Sequence, residues 1–549
     1  MKEKTFQNPI LPGFYPDPSV CRVGDEYYLV TSTFAYFPGV PIFRSKDLVY
    51  WEQIGNVLDR RTQLPLEGAE VSRGIFAPTI RFHNGMFYVI TTNVSSGGNF
   101  LVTAVNPAGK WSDPHYIRGA AGIDPSLFFD KDGKCYYQGT CERREGGKFF
   151  GDNEIYLQEL DLKTMSLVGE RYVIWHCALR DAVWPESPHI YRRGEYYYLL
   201  ISEGGTAHEH AVTIARSKTL TGYYTGNKSN PILTHRHLGR DYPIVNVGHG
   251  DLVETPAGEW WMVLLASRPY GGRYRNLGRE TFLVPVEWEE DWPVVNYGIG
   301  LVQDTERFPI KKGVPQFVTK SISKREQIMK NAMESVSVTF RTQSDIPLNM
   351  LYLRNPVTAD YMIKHNPPEA GLHMRLSKNT IAELDTVSYL CVRQQHMSFE
   401  AGTWMQFDPA SENECAGLVI FQSHKYHYQF TLTLDGDALV MVLTKYENGN
   451  ATELVRTEVN IDPEIVNYFG EHYLKVVARG QKLFFYHTTK GENYTPIYVN
   501  ADARILSTDV AGGFVGTTIG MYASSNGDEA GRRYAVFKKF YYNELRVEI

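Results

Sequence analysis

Three carboxylates stand beside prolines where the surrounding text also recurs: Asp17-Pro18-Ser19-Val20, Asp124-Pro125-Ser126-Leu127 and Glu186-Ser187-Pro188-His189. Cleaving the acetal bond between two sugars needs such a set. One carboxyl must be held protonated to donate to the leaving oxygen, and another must be ionised to activate water or to attack carbon. A single Asp-Pro is more simply a turn in which the Asp side chain bonds nearby backbone. Two Asp and a Glu at nearly matching register reverse that balance, because like charges gathered at one rim resist burial and structure alone gives little reason to put them there.

The element that could gather them is an internal repeat. Each of the motifs above is followed by a glycine and an aromatic pair: Gly24 with Tyr27-Tyr28, Gly133 with Tyr136-Tyr137, and Gly194 with Tyr196-Tyr197-Tyr198. Ala77-Pro78-Thr79-Ile80 with Gly85 and Phe87-Tyr88 is a further copy, and His249-Gly250-Asp251-Leu252 with Gly258 and Trp260-Trp261 is a degenerate fifth. The copies start at Pro18, Pro78, Pro125, Pro188 and Gly250, so they lie 60, 47, 63 and 62 residues apart. That period holds a four-stranded blade with its loops, and the unit reads as strand, glycine turn, aromatic strand. The expected fold is therefore all-β: a five-bladed β-propeller over 1–312, in preference to a sandwich with coincidental turns. In a propeller the innermost strands surround one axis, so the slot before each repeat proline converges on a shared cavity. That slot holds Asp17, Ala77, Asp124, Ser187 and, in the degenerate copy, His249, with Glu186 one residue earlier.

The repeat stops near Asp291-Trp292-Pro293, and residues 313–330 read as a linker. From 331 to 549 apolar and polar residues alternate with period two, as in Tyr426-His427-Tyr428-Gln429-Phe430-Thr431-Leu432, which implies a β-sandwich of the jelly-roll, concanavalin-like kind. Of the 549 residues 43% are hydrophobic, which excludes a disordered chain. The net charge of -6 with interspersed signs offers no basic stripe for nucleic acid. No apolar run is long enough to span a membrane, and the amino terminus lacks a leader-like stretch, so a cytoplasmic location is expected. The six cysteines have no CxxC spacing and fit reduced thiols better than a disulfide framework. His208-Glu209-His210 is not HExxH, and no third ligand is evident, so no metal hydrolysis is expected there.

Taken in order, Gly13-Phe14-Tyr15-Pro16-Asp17-Pro18, Ile75-Phe76-Ala77-Pro78, Ile123-Asp124-Pro125, Glu186-Ser187-Pro188-His189, Glu203-Gly204-Gly205-Thr206, Gly248-His249-Gly250-Asp251 and Leu277-Gly278-Arg279-Glu280 resemble glycoside hydrolase family 43, in its β-xylosidase and α-L-arabinofuranosidase group. The resemblance spans nearly the whole chain. It implies an inverting hydrolase with Asp17 as general base, Glu186 as general acid, and Asp124 as a third carboxylate that keeps Glu186 protonated and helps orient it or the sugar. It implies Arg279 as a substrate clamp, where the bland reading is a surface or blade-closing arginine. Phe34 and Phe76 would be pocket walls beside Ala77, with Phe76 standing where the family usually has a wider tryptophan. Thr206 and His210 would line the pocket. Phe514 would reach over from the sandwich and close it, against a reading as plain core packing. In some relatives the residue matching His249 supports Ca²⁺; here a neutral hydrogen-bonding histidine or a partner to the carboxylates fits equally, and no cofactor is required.

A pocket closed on one side would release one sugar at a time from non-reducing ends of xylo- or arabino-oligosaccharides. Such a small oligosaccharide is the expected partner, with homo-oligomerisation left open. Two other readings stand beside this one. A non-catalytic carbohydrate-binding propeller would need no acid opposite a base. A retaining, fructan-type propeller hydrolase would carry Arg-Asp-Pro and Glu-Cys motifs, and this chain has only Cys141-Glu142 in the reverse order.

Overall fold

The computed structural model describes residues 4–309, 335–459, 470–528, 531 and 533–545. The expected linker at 313–330 lies outside them. Five four-stranded antiparallel sheets begin with the strands Ser19–Val23, Ile75–His83, Ile123–Phe129, Glu186–Arg193 and Val245–Glu254. These first strands pack in a ring, with the fifth returning to the first, so the sheets are the blades of a five-bladed propeller. Each begins one copy of the sequence repeat. The repeat glycines Gly24, Gly85, Gly133, Gly194 and Gly258 all sit at φ between 59° and 85° in the hairpin that follows. Nothing crowds them; it is the left-handed backbone of a tight hairpin that calls for glycine.

The aromatic pair after each glycine joins neighbouring blades. Tyr28 meets Phe87 of the next blade edge-on at 4.9 Å between ring centres, and Phe128 meets Tyr197 at 5.9 Å. The ring is closed by the amino terminus: Thr5–Gln7 pairs with Thr305–Arg307, and the Asn8 side chain bonds both backbone groups of Leu283 in the fifth blade at 2.9 Å.

The second unit is a sandwich of two eight-stranded antiparallel sheets. One follows the order Tyr361–Lys364, Gly371–Arg375, Tyr534–Glu544, Ser398–Gln406, Glu471–Arg479, Lys482–Thr488, Thr495–Asp502, with Val336–Thr339 also on Tyr534–Glu544. The other runs Asn450–Glu458, Ala438–Glu447, Tyr426–Asp435, Cys415–Ser423, Thr518–Ser524, Ser388–Arg393, Leu351–Leu353, and its last strand is Tyr36–Phe37 of the propeller. The propeller thus lends a strand to the sandwich. The α-helix among the described residues is Thr508–Ala511, and none is long and apolar enough to cross a membrane.

Phe14, Phe34, Tyr36 and Val71 of the propeller pack with Leu351, Tyr389, Phe421 and Tyr522 of the sandwich in one buried cluster. Burying each such side chain stabilises by roughly 1.5–3 kcal/mol relative to exposure. Polar ties cross beside it: Arg393 donates to the Phe14 carbonyl at 2.9 Å, and the Asn355 side chain bonds Leu64 and Leu66 backbone at 2.8 and 2.7 Å. A shared strand, an apolar cluster and satisfied polar groups hold the two units in a fixed relation, which matters because residues of both meet at the site.

Candidate active site

The slot residues of all five blades share one backbone state. Asp17, Ala77, Asp124, Ser187 and His249 have φ of 55°, 26°, 53°, 49° and 51°. In the last four blades the hairpin register shifts across this point, which is the mark of a β-bulge. Non-glycine residues at positive φ cost on the order of 1–3 kcal/mol each, and such strain concentrates where side chains are aimed at function. Here the kink sits at the axial end of each first strand.

The carboxylates are held in different environments. Asp17 is 5% exposed; its Oδ2 accepts from the Ser32 hydroxyl at 2.6 Å, and its Oδ1 accepts from Arg279 Nη1 at 3.0 Å. His249 Nδ1 stands 3.7 Å from the same Oδ1. Burial by itself would raise the Asp17 pKa, but Arg279, His249 and the Ser32 bond together hold it below the usual carboxylate value. Asp124 Oδ2 accepts from the Ser187 backbone N–H at 3.1 Å; burial lifts this carboxyl to about 6, with the Asp17 charge acting in the same direction against His249. Glu186 makes no hydrogen-bonded ion pair among the described residues, and Arg279 opposes its rise only weakly. Burial first, then the charges of Asp124 and Asp17, push it well above the ordinary range.

Arg279 is 9% exposed, so the surface reading is excluded. The Nη1 that binds Asp17 also donates to Thr206 Oγ1 at 2.9 Å. His210 Nδ1 lies 3.0 Å from the Asn246 carbonyl, which can only accept, so the proton is on Nδ1. Burial lowers its pKa to about 3 and keeps the ring neutral. Its buried Nε2 then points a lone pair at no protein donor among the described residues, and can accept from a sugar hydroxyl. Gly248 makes this possible, since a Cβ there would strike the imidazole. His208 and Glu209 lie in the turn before the strand Ala211–Ser217.

Phe34, Phe76 and Phe514 form an aromatic corner: Phe34 stacks on Phe514 at 6.0 Å, and Phe76 meets the two edge-on at 5.5 and 5.9 Å. Phe514 is 37% exposed, so it is not plain core. Its backbone N–H donates to Ser72 Oγ of the propeller at 2.9 Å, and the Arg279 guanidinium lies 5.4 Å from its ring. Ala77 presents only a methyl group at its slot and makes no side-chain hydrogen bond.

One layer further along the same strands lies a group that sequence reasoning missed. Asp251 accepts from Ser19 Oγ at 2.6 Å, the Val20 N–H at 3.0 Å, Arg81 at 2.9 and 3.3 Å, and the Tyr191 hydroxyl. Arg81 Nη2 also meets His189 Nδ1 at 2.9 Å. Four blades are tied across the axis by this one buried ion pair. A signal existed: Ser19, His189 and Asp251 each stand two residues beyond a slot, and side chains two apart on a strand share a face.

The family resemblance admits Ca²⁺ beside His249, and the donors there do not fit it. Ca²⁺ takes six to eight oxygen ligands. The His249 N–H bonds Ser202 Oγ at 2.6 Å, its Nδ1 faces a carboxylate already holding Arg279 and Ser32, and the adjoining layer carries the Arg81 cation. Among the described residues no group of three His, Cys, Asp or Glu is arranged to hold a metal.

A propeller that gathers three carboxylates whose pKa values are pushed in opposite directions, capped by a sandwich, has the architecture of a glycosidase. The chain belongs to glycosyl hydrolases family 43, whose profile matches residues 6–293. The profile described as beta xylosidase C-terminal concanavalin A-like domain matches residues 337–543. A xylosidase/arabinosidase of Butyrivibrio fibrisolvens is 46% identical over 95% of this chain and 96% of its own length. A non-reducing end alpha-L-arabinofuranosidase of Bacteroides ovatus is 37% identical over 96% and 93%. The solved xylan beta-1,4-xylosidase of Bacillus halodurans superposes with a TM-score of 0.86 at 32% identity, covering 98% of this chain and all of that one.

Proposed function

We propose that this glycoside hydrolase is an exo-acting, inverting β-D-xylosidase and/or α-L-arabinofuranosidase that takes pentoses from non-reducing ends of short oligosaccharides. The observation that carries the reading is the split among the buried carboxylates: Asp17 held below the usual range by Arg279, and Glu186 pushed well above it by burial and the charge of Asp124. An ionised base and a protonated acid then coexist at neutral pH without any change of conformation. Asp17 removes a proton from water as it attacks the anomeric carbon, and Glu186 gives its proton to the departing oxygen. Asp124 stays beside Glu186 and sustains its high affinity for the proton. His210 Nε2 accepts from a sugar hydroxyl, Arg279 and Thr206 bind further oxygens, and the Phe34, Phe76 and Phe514 rings take the apolar face of the sugar.

The division into a propeller over 1–312, a linker over 313–330 and a sandwich over 331–549 belongs to the same proposal, with Phe514 as the sandwich's contribution to the pocket. Phe514 of the sandwich packing against Phe34 and Phe76 of the propeller supports release from chain ends over internal cleavage. All six cysteines are free thiols, which supports a reducing, cytoplasmic setting.

The test is turnover of xylobiose and of a nitrophenyl arabinofuranoside, followed by proton NMR of the first-formed anomer. The expected result is cleavage of at least one with inversion. No turnover of either would refute the assignment, and retention would recast Asp17 as a nucleophile.

A further inference from the structure

Two aromatic side chains on the acid's side of the site take no part in the mechanism above. Trp184 lies two residues before Glu186 with φ of 48°, a conformation that a bulky residue adopts only when its surroundings enforce it. Its indole runs between two glycines. A Cβ on Gly205 would come within 2.6 Å of Trp184 Cε3, and one on Gly151 within 2.8 Å of Nε1. Gly205 is the neighbour of Thr206, which binds Arg279, so the indole borders the pocket. Phe150 stands edge-on to it, 5.4 Å between ring centres, and is 85% exposed. The two rings form one continuous apolar edge, the indole half-buried and the phenyl open to water.

The loops bearing these rings are tied down. The Trp184 N–H donates to the Gly151 carbonyl at 2.7 Å, and the Gly204 N–H to the Val183 carbonyl at 2.8 Å. The buried Glu203 carboxylate accepts from the backbone of Ala178 and Leu179 at 2.7 and 3.2 Å. Asp152 accepts from the Lys148 N–H at 3.0 Å and pairs with Arg143 at 2.6 Å. The rings therefore form a fixed platform.

We propose that Trp184 and Phe150 are the shelf on which the departing part of the substrate rests, the sugar residue whose oxygen receives the proton of Glu186. This rests on the reading of Glu186 as the acid and Asp17 as the base. The Phe34–Phe76–Phe514 corner lies with Asp17 and Arg279, in blades one and two and the sandwich, and so serves the sugar that is attacked. In that reading the acid faces the leaving oxygen, and Trp184, two residues before it and packed on Gly205, lies on the same side. A pyranose ring presents a face of C–H groups that covers an indole, with its hydroxyls directed to water at the rim. The occupant is thus a neutral sugar unit of the oligosaccharide.

The experiment compares the full chain with its Trp184→Ala, Trp184→Phe and Phe150→Ala variants on two substrates, xylobiose and xylosyl fluoride, whose leaving group has no ring to stack. Trp184→Ala should lose about tenfold more kcat/KM on xylobiose than on the fluoride, mostly through KM, with Trp184→Phe recovering part of the loss. Phe150→Ala should show the same preference at about threefold, and its exposure ensures that the variant folds. Equal losses on both substrates, or none on either, would overturn the shelf while leaving the wild-type activity in place. A wild-type chain inactive on both xylosides would overturn the shelf as a xylose platform, and inactivity on a nitrophenyl arabinofuranoside as well would remove the functional reading with it.

Discussion

Replacing Arg279 by Gln removes the cation bonded to Asp17 and leaves the fold's other contacts to that carboxylate in place. The Nη1 to Oδ1 distance is 3.0 Å, with the charge centres slightly further apart. Two unit charges about 4 Å apart interact by about 4 kcal/mol at an effective dielectric of 20, equivalent to about 3 pKa units. His249 and the Ser32 hydroxyl remain, so the Asp17 pKa should rise by less than that full Coulomb interaction. The same guanidinium also lowers Asp124 and Glu186, hence both limbs of the activity profile should move to higher pH together. Sign follows role: a base with a raised pKa is neutralised at a higher pH as acid is added, and an acid with a raised pKa keeps its proton to a higher pH. The assay is kcat/KM against pH on an unactivated substrate such as xylobiose, whose leaving oxygen needs the acid's proton, so both limbs report the free enzyme's coupled groups. Arg279→Lys keeps the charge and should shift the profile less. A uniform fall in activity with both limbs unmoved would refute the reasoning and leave Arg279 as a hydrogen-bonding clamp alone.

Three further outcomes follow from the same structure. Asp124→Asn removes the largest contribution to the raised Glu186 pKa after burial, so the alkaline limb should move to lower pH; a limb that stays put would show that Asp124 does not hold that proton. Glu306, in the strand that closes the propeller, is 3% exposed, bonds the Asn296 side chain at 2.7 Å, and is raised by burial to about 7. Its neutral form is the one the fold prefers, so stability should fall as pH rises from the ordinary glutamate range through 7, and Glu306→Gln should raise Tm at pH 8 more than at pH 5; equal effects at both would refute this. Because the Arg81 guanidinium already supplies the axial cation, EDTA treatment should leave kcat/KM within about twofold. A larger loss restored by Ca²⁺ would contradict the role given to Arg81.

The propeller was legible because each blade repeats a local device: a slot residue, a glycine in left-handed backbone and an aromatic pair. Turn chemistry and alternation act over a few residues, and five copies add up. The slot alignment also found Asp17, Asp124 and the neighbour of Glu186. Arg81, His189, Tyr191 and Asp251 were not legible, although they sit on the same strands, because the register two residues beyond the slot carries Ser19, Thr79, Ser126, His189 and Asp251, a mixture that does not by itself mark an ion pair. Trp184 and Phe150 escaped for another reason. They lie on loops between repeats, where no periodicity marks which way a ring will face.

The sequence by itself determined the two β architectures, the number of blades and the identity of the residues aimed at the axis, since these depend on local backbone preference and repetition. Only the tertiary structure decided their chemical states. Which carboxylate is ionised, where the His210 proton sits, whether a cation site is built for a metal or filled by Arg81, and how Phe514 from a distant segment joins Phe34 and Phe76 all depend on burial and on distances of a few ångströms between residues hundreds of positions apart. Electrostatic interaction and desolvation are set by those distances, and a chain read in order does not contain them.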